Sequence, residues 1–209
     1  MFDRTARVAR QEPTVIPRDL QPDRLLGAYA SGIFPMAMDD DELGWFAPDP
    51  RAIIPLDALR VPRSLRQTYR KPVFNMTFDK DFEAVIAACA DRDEETWIST
   101  EIVEAYTELH RLGFAHSVES WYEGELVGGL YGVALRGVFC GESMFHRKTD
   151  ASKVAMVHLV ERLRDRGYQL LDVQFMTDHL RRFGAVEIPR SEYETRLSKA
   201  LEVEATFTD

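Results

Sequence analysis

Two acidic residues stand inside segments that otherwise have the composition of buried β-strands. Glu142 lies in the segment GESMF, and Asp172 lies in the segment LLDVQF. Strict alternation along a strand places Asp172 and Gln174 on one face, beside Leu170. A buried carboxylate without partners is costly or takes up a proton, so each acid needs partners or a chemical role. A neighbouring arginine or backbone N–H groups would satisfy one such acid, whereas two acids and an amide on neighbouring strands favour a polar site.

The composition limits the class of protein. The chain has 209 residues, of which 45% are hydrophobic, so it can bury a full core. It contains no apolar run near the roughly 18 residues of a membrane span, and its first residues, MFDRTARVARQEP, lack the apolar core of a signal peptide. We therefore expect a cytoplasmic protein with no membrane partner.

The cysteines and histidines do not predict a metal site. Cys89 and Cys140 lie far apart in apolar segments without a CxxC pattern, and we expect both to be reduced core residues. The five histidines are scattered without metal-ligand spacing. No metal is predicted.

Positive charge is concentrated in one short segment of an acidic chain. The net charge of -9 disfavours nonspecific binding to DNA. Arg63, Arg66 and Arg70 are three and four residues apart, so they share a face of a helix, and Lys71 follows them. A solvent-exposed helix face is the commonest explanation of such spacing. A confined contact with a polyanion, such as a tRNA stem, is the alternative.

The chain divides into a proline-rich first third and a more regular remainder. Residues 1–60 are predicted to form a small N-terminal domain with one helix, from about Asp23 to Ala30. Residues 61–209 are predicted to follow the order β-α-α-β-β-β-α-β-α-β, with a hairpin that turns at Glu123-Gly124. This is the order of the acyl-CoA N-acyltransferase fold, an α+β fold in which helices flank a mixed sheet.

In the predicted fold the polar residues lie where the acyl donor binds, but the sequence does not favour CoA, the usual donor of this fold. In this fold the acyl donor lies where the strand before the long helix separates from the strand after it, and here these strands carry Glu142 and Asp172. The acetyltransferases hold the pyrophosphate of CoA with a glycine-rich loop at the start of that helix. The corresponding stretch, HRKTDASK, contains no glycine. A different acyl carrier is therefore expected.

Segments of unusual composition are spread along the whole chain. They are LLGAYASGIFP, WFAPDPRAIIP, TWI, AHSVESWYEGELVGGLYGVALRGVFCGESMF, ASK, LLDVQF, HL and FGAVEIPR. With these segments the chain resembles the bacterial leucyl/phenylalanyl-tRNA–protein transferases over nearly its full length. The resemblance implies transfer of Leu or Phe, with Met as a further candidate, from aminoacyl-tRNA to proteins with N-terminal Arg or Lys, which marks those proteins for degradation. It also implies that no cofactor is used.

The resemblance assigns roles to particular residues. Asp172 and Gln174 match the family's catalytic pair, and Glu142 matches the acid near the acceptor amine. Many relatives have Trp directly after GIFP, where this chain has Met36, so stacking of the terminal adenosine of tRNA is expected to rest more on Trp97. The residues that match the lining of the apolar donor pocket are Leu130, Phe139, Met144, Leu159, Leu163 and Leu171. The other candidates for tRNA binding are Arg63, Arg66, Arg70 and Lys71.

Two points stay open at this stage. Asp172 could orient and deprotonate the acceptor amine directly, or it could act through Gln174. Simple alternation also puts Phe139 and Met144 on opposite faces of their strand, unless a bulge near Gly141 restores a common side.

Several alternatives compete with this interpretation. An acetyltransferase that uses CoA fits the topology, and a nonenzymatic tRNA-binding module fits the basic segment. Ser143 or Cys140 could act as a covalent nucleophile, although no His and Asp spacing supports this. Glu142 could be no more than an ion-pair partner of Arg147 or Lys148.

Overall fold

The computed structural model describes residues 19–38, 42–71, 73–91 and 96–208. Most of two acidic segments, DDDE at residues 39–42 and DRDEE at residues 91–95, lies outside these ranges. Within them the chain forms seven α-helices, which are α1 (Pro22–Ala30), α2 (Arg63–Arg70), α3 (Phe82–Ala90), α4 (Thr100–Arg111), α5 (Ala151–Asp165), α6 (Asp178–Arg182) and α7 (Arg190–Leu201). It also forms nine strands, which are β1 (Phe34–Ala37), β2 (Leu43–Phe46), β3 (Arg51–Ile54), β4 (Asn75–Phe78), β5 (Ala115–Tyr122), β6 (Glu125–Leu135), β7 (Val138–His146), β8 (Leu170–Gln174) and β9 (Val186–Ile188).

Seven of these strands form one mixed sheet, in the order β4-β5-β6-β7-β8-β3-β9. β7 and β8 pair in parallel, and the other neighbours in the sheet pair antiparallel. β1 and β2 form a separate antiparallel pair. The predicted α+β architecture, a mixed sheet flanked by helices, is confirmed.

Helices cover both faces of the large sheet and bury two hydrophobic clusters. The first core cluster joins one face to α1, α3, α4 and α7 and includes Tyr29 and Tyr106. The second core cluster joins the other face to α2, α5 and α6 and includes Leu159. Along β8, Leu170 packs in the first cluster and Leu171 in the second, as alternation requires. Among the described helices, none has the length and apolar composition needed to cross a membrane.

Local sequence signals explain several element ends. The Ser99 side chain accepts a hydrogen bond from the backbone N–H of Ile102, at 3.4 Å, and caps the first turn of α4. Glu123 and Gly124 both adopt positive φ, at 52° and 87°, between β5 and β6. This conformation is typical of the tight turn that matches the twist of a hairpin. The predicted hairpin is confirmed.

The first third of the chain is more regular than the sequence predicts. Besides α1, which is the predicted helix, it contains β1, β2 and β3. β3 has four buried residues and lies between β8 and β9 in the large sheet. Such a short apolar run, confined between Pro50 and Pro55, has no periodicity that identifies it as a strand. Its pairing attaches residues 51–54 to the large sheet, although they fall within the range assigned from sequence to the small domain.

Candidate active site

The two strands that carry the polar residues separate next to them. The parallel pairing of β7 with β8 ends at Cys140 and Asp172, although β7 continues to His146. Glu142 and Gln174 lie just beyond this last pair. The Gln174 amide nitrogen Nε2 donates a hydrogen bond across the gap to Glu142 Oε1, at 3.4 Å. The structure therefore brings the three residues singled out from the sequence into one cluster.

A β-bulge shapes the β7 side of the gap. The register of β7 against β6 shifts between Gly141 and Ser143, which leaves Glu142 as the extra residue. Phe139 and Met144 then return to a common side, since both pack in the second core cluster. The bulge considered near Gly141 is thus present, one residue further along the strand.

Asp172 is completely buried, and its partners occupy both carboxylate oxygens. Arg51 donates from Nε to Oδ1 at 2.9 Å and from Nη2 to Oδ2 at 2.6 Å. The Tyr193 hydroxyl donates to Oδ2 at 2.9 Å, and the backbone N–H of Gln174 donates to Oδ1 at 3.0 Å. The carboxylate is therefore held by an arginine and a backbone N–H, which is the arrangement considered for a single buried acid.

Arg51 supplies the positive charge that compensates Asp172. Burial alone lowers the pKa of Arg51, but the Asp172 carboxylate outweighs this effect, and the net pKa lies above its ordinary value. Its guanidinium carbon lies 4.8 Å from the centre of the Phe34 ring and 4.6 Å from that of Tyr193. Its Nη1 donates to the carbonyl of Gly32 at 3.1 Å. Burial and the Asp172 charge also raise the pKa of Tyr193, so this hydroxyl stays protonated and donates.

Glu142 is also buried, but within the described parts of the chain no cation forms an ion pair with it. Burial is the main cause that raises the pKa of Glu142 from 4.5 to about 8. A hydrogen bond with Tyr29 and the charge of Arg51 lower this pKa, while the charge of Asp172 raises it. Tyr29 is in turn hydrogen-bonded to Tyr106, both inside the first core cluster. Near neutral pH, Glu142 is therefore a buried acid that readily holds a proton.

The basic residues downstream of Glu142 lie over aromatic rings. The guanidinium of Arg147 lies 5.6 Å from the centre of the Phe145 ring, and Lys148 Nζ lies 3.8 Å from that of Tyr122. These contacts do not support the alternative in which Arg147 or Lys148 is the ion-pair partner of Glu142.

Cys140 is poorly suited to nucleophilic attack. Burial, followed by the charges of Asp172 and Glu142, raises the pKa of the Cys140 thiol well above its ordinary value. The thiolate, which is the reactive form, is therefore disfavoured. In the described part of the chain, no group of three or more His, Cys, Asp and Glu residues is arranged to hold a metal ion.

The residues that the resemblance assigns to the donor pocket lie together on the face of the sheet covered by the second core cluster. All of them belong to the second core cluster, where Met144 is partly buried and the others are fully buried, and they are Leu130, Phe139, Met144, Leu159, Leu163 and Leu171. Leu171 precedes Asp172 on β8, so the apolar and polar groups adjoin at the gap between β7 and β8. Two open cavities, of about 880 and 460 Å³, are lined by other residues.

Comparison with known proteins identifies the family. The family model described as leucyl/phenylalanyl-tRNA protein transferase matches residues 53–198, and the model of the N-terminal domain of the same family matches residues 18–49. The chain belongs to this family. The leucyl/phenylalanyl-tRNA–protein transferase of Salinibacter ruber is 55% identical over 189 residues, which cover 90% of this chain and 83% of that protein. The protein of the same name from Herpetosiphon aurantiacus is 57% identical and covers 90% and 98%.

A solved structure adds a more distant likeness. It is a GCN5-related N-acetyltransferase-like protein from Streptococcus suis, 14% identical, which matches 79% of this chain and 63% of its own with a TM-score of 0.39.

The residues expected near the terminal adenosine of tRNA lie close together. Met36 is in β1, and the backbone N–H of its neighbour Ala37 donates to the carbonyl of Trp97 at 3.2 Å. Met36 and Trp97 are both partly buried against the first core cluster, as is Phe46. Trp97 therefore lies next to β1, which carries Met36, and Phe46 lies on the paired strand β2.

The basic segment forms an exposed helix. Arg63, Arg66 and Arg70 are exposed on α2, whose buried residue is Leu65, and the exposed Lys71 caps the end of the helix. Lys71 also lines the open cavity of about 460 Å³, together with Lys148 near the start of α5. The positive charge of this segment therefore lies at the surface and is accessible to a polyanion.

The sequence alone did not reveal Arg51, Tyr193, Tyr29 and Tyr106. Arg51, Tyr193 and Tyr29 contact the acids from β3, α7 and α1, and Tyr106 on α4 is hydrogen-bonded to Tyr29. These elements are distant in the chain from β7 and β8. A signal for Arg51 was available, because an arginine that begins a short apolar run between two prolines is a candidate partner for a buried acid.

Proposed function

We propose that this chain transfers Leu or Phe from aminoacyl-tRNA to the N-terminal amine of proteins that begin with Arg or Lys. Membership of the family supports the donor class. The observation that carries the acceptor class is the buried Glu142 at the gap between β7 and β8, which is bonded to Gln174 and has no close cation among the described residues. The product carries a new N-terminal Leu or Phe, which serves as a degradation signal in the cytoplasm.

The chemistry requires positioning more than activation. The aminoacyl ester of tRNA is already reactive, and an α-amine with a pKa near 8 has an appreciable neutral fraction at physiological pH. The amine nitrogen forms a bond to the ester carbonyl carbon, the ester C–O bond breaks, and a proton passes from the nitrogen to the departing ribose oxygen. Correct placement of the two reactants can lower the barrier by several kcal/mol.

Gln174 is proposed to hold the amine, with Asp172 acting through it. The Nε2 group of Gln174 donates to Glu142, so its carbonyl oxygen can accept a hydrogen bond from the acceptor amine. Because four hydrogen bonds occupy the oxygens of Asp172, the indirect role fits this residue better than direct proton abstraction.

Glu142 is proposed to recognise the basic side chain of the acceptor. A buried carboxylate gains most from an incoming cation, which compensates both its desolvation and the repulsion from the nearby Asp172. An N-terminal Arg or Lys brings that cation together with the amine. An uncharged N-terminal residue would leave Glu142 protonated and would contribute less binding.

The donor is proposed to lie across the gap from the acceptor. Its Leu or Phe side chain enters the apolar group around Met144 and Leu171, and its terminal adenosine stacks near Trp97. The acceptor stem then contacts α2 through phosphates. Met remains a further candidate donor for the same apolar site.

The direct test is a transfer assay with several labelled donors. Leu-tRNA, Phe-tRNA, Met-tRNA and acetyl-CoA are each incubated with a peptide that begins with Lys and with the same peptide beginning with Gln. We expect Leu and Phe to be transferred rapidly to the Lys peptide and only slowly to the Gln peptide. Acetylation from acetyl-CoA would instead identify an acetyltransferase, and tRNA binding without transfer would indicate a binding module.

A substitution then tests the acceptor assignment. Glu142→Gln should reduce transfer to Lys peptides far more than the slow transfer to the Gln peptide, and the exposed Glu125→Gln is the matched control. Equal losses on both peptides would mean that Glu142 shapes the site without recognising the cation.

A further inference from the structure

Arg51 contacts three parts of the chain next to the polar cluster of Glu142, Asp172 and Gln174. It binds the carboxylate of Asp172 on β8 with two nitrogens, contacts Gly32 and Phe34 of the segment GIFP, and lies over the ring of Tyr193 on α7. It is 1% exposed. A planar guanidinium that binds a carboxylate at two points fixes its orientation as well as its charge.

Asp172 in turn holds an unusual backbone turn. Gln174 has a φ of 57°, in the left-handed region that a residue with a side chain rarely adopts. Its backbone N–H donates to Asp172 Oδ1 at 3.0 Å. The pairing of β3 with β8 is also irregular here, because Ala52 faces Gln174 while Ile53 faces Asp172. A turn of this kind persists when its surroundings hold it in place, and the Asp172 carboxylate is the group that does so.

We propose that Arg51 is a positioning residue for the transfer reaction. With Tyr193 it fixes the Asp172 carboxylate, and Asp172 fixes the turn that directs the Gln174 amide across the gap to Glu142. Asp172 is accordingly a positioning residue as well, and accepts no proton in the reaction. This inference rests on the proposed function, since the amide that is positioned is the one that holds the acceptor amine.

Three variants weaken the contacts that hold the Asp172 carboxylate to different degrees. Arg51→Gln removes the charge and one arm of the two-point contact. Arg51→Lys keeps the charge but loses the planar guanidinium that binds the carboxylate at two points. Tyr193→Phe removes only the hydroxyl that bonds Asp172 at 2.9 Å. Arg24→Gln, which changes an exposed arginine on α1, is the control for loss of positive charge.

The first measurement is steady-state transfer per folded molecule, with Leu-tRNA and a Lys-initiated peptide. We expect kcat to fall roughly 10- to 100-fold in Arg51→Gln, because misplacement of a reacting group by about 1 Å has that effect, while KM for both substrates changes little. Tyr193→Phe should lose roughly 2- to 10-fold, the usual effect of one hydrogen bond. Arg51→Lys should recover part of the loss, and Arg24→Gln should match the wild type.

The second measurement does not depend on activity. Hydrogen exchange at the backbone amide of Gln174 should be faster in Tyr193→Phe and Arg51→Lys than in the wild type, at a temperature where both variants are folded. Unchanged exchange at Gln174, or a kcat within about twofold of wild type in folded Arg51→Gln, would overturn the inference. If Arg51→Gln does not fold, the other two variants decide.

The two proposals can fail separately. A wild-type protein that transfers no amino acid would remove the proposed function, and the exchange data would still report whether Arg51 and Tyr193 hold the turn. A wild type that transfers Leu normally, with Arg51 and Tyr193 variants that do the same, would remove only the present inference.

Discussion

Replacing Glu142 with Gln is expected to make the protein more stable at alkaline pH while it impairs recognition of basic acceptors. The folded protein raises the pKa of Glu142 from 4.5 to about 8, chiefly by burial. Between these pH values the folded protein retains a proton that the unfolded chain has released. Stability therefore falls as the pH rises through this window, and above about pH 8 the folded carboxylate is ionised as well and the loss is complete.

The size of the effect follows from the same values. At 1.36 kcal/mol per pH unit, the interval from 4.5 to about 8 corresponds to an upper limit on the order of 4–5 kcal/mol. Gln cannot ionise, so Glu142→Gln should escape this loss. For a chain of this size, about 1 kcal/mol moves the melting temperature by roughly 2–4 °C. We expect the variant to melt several degrees above the wild type at pH 9 and near the wild type at pH 4.

Thermal unfolding by circular dichroism across that pH range measures the difference. Other groups titrate in the same window, so the informative quantity is the melting temperature of the variant minus that of the wild type at each pH. Glu125→Gln, at an exposed position on β6, is the control and should show no such trend. A difference for Glu142→Gln that is constant between pH 4 and pH 9 would refute the claim that the fold buries an ionisable acid at this position.

Two further predictions concern the donor. Met144→Ala should change the ratio of Leu to Phe transfer, because a small change in an apolar pocket is worth roughly 1–3 kcal/mol; Met76→Ala, on β4 at the sheet edge, should leave that ratio unchanged. Changing Arg63, Arg66 and Arg70 to Gln should weaken binding of every tRNA alike and should lower the slope of log affinity against log salt by about one for each arginine that contacts phosphate. An unchanged slope in binding titrations would leave α2 as a solvated helix face.

The part of the fold that follows residue 60 was predictable from sequence because its elements are long and bounded by clear signals. The Ser99 cap and the Glu123-Gly124 turn fixed the limits of α4 and of the β5–β6 hairpin. Alternation correctly placed Leu170 and Asp172 on the same face of β8. The first third was not predictable in the same way, because strands of four residues between prolines contain too few positions to show a period.

The sequence was sufficient to predict which polar residues lie together, but not which cation compensates the charge of Asp172. Sequence reasoning brought together Glu142, Asp172 and Gln174, since buried polar residues stand out within apolar strands. It could not pair Asp172 with Arg51, because that contact depends on β3 lying next to β8, 121 residues away in the chain. Nor could it place the β7 bulge at Glu142, since a bulge depends on how the partner strand is registered.

The two buried acids, Asp172 and Glu142, have different electrostatic environments, and this difference indicates a different role for each. Asp172 has its own cation, so it is satisfied whether or not a substrate is bound, and it can act as a fixed support. Among the described residues Glu142 has no such cation, so its ionisation is costly. A protein that needed only stability would be better served by an uncharged residue at this position. Under the proposed function, the acid is useful because a ligand brings the missing positive charge. The free energy lost on folding is then regained on binding, which would favour acceptors that begin with Arg or Lys.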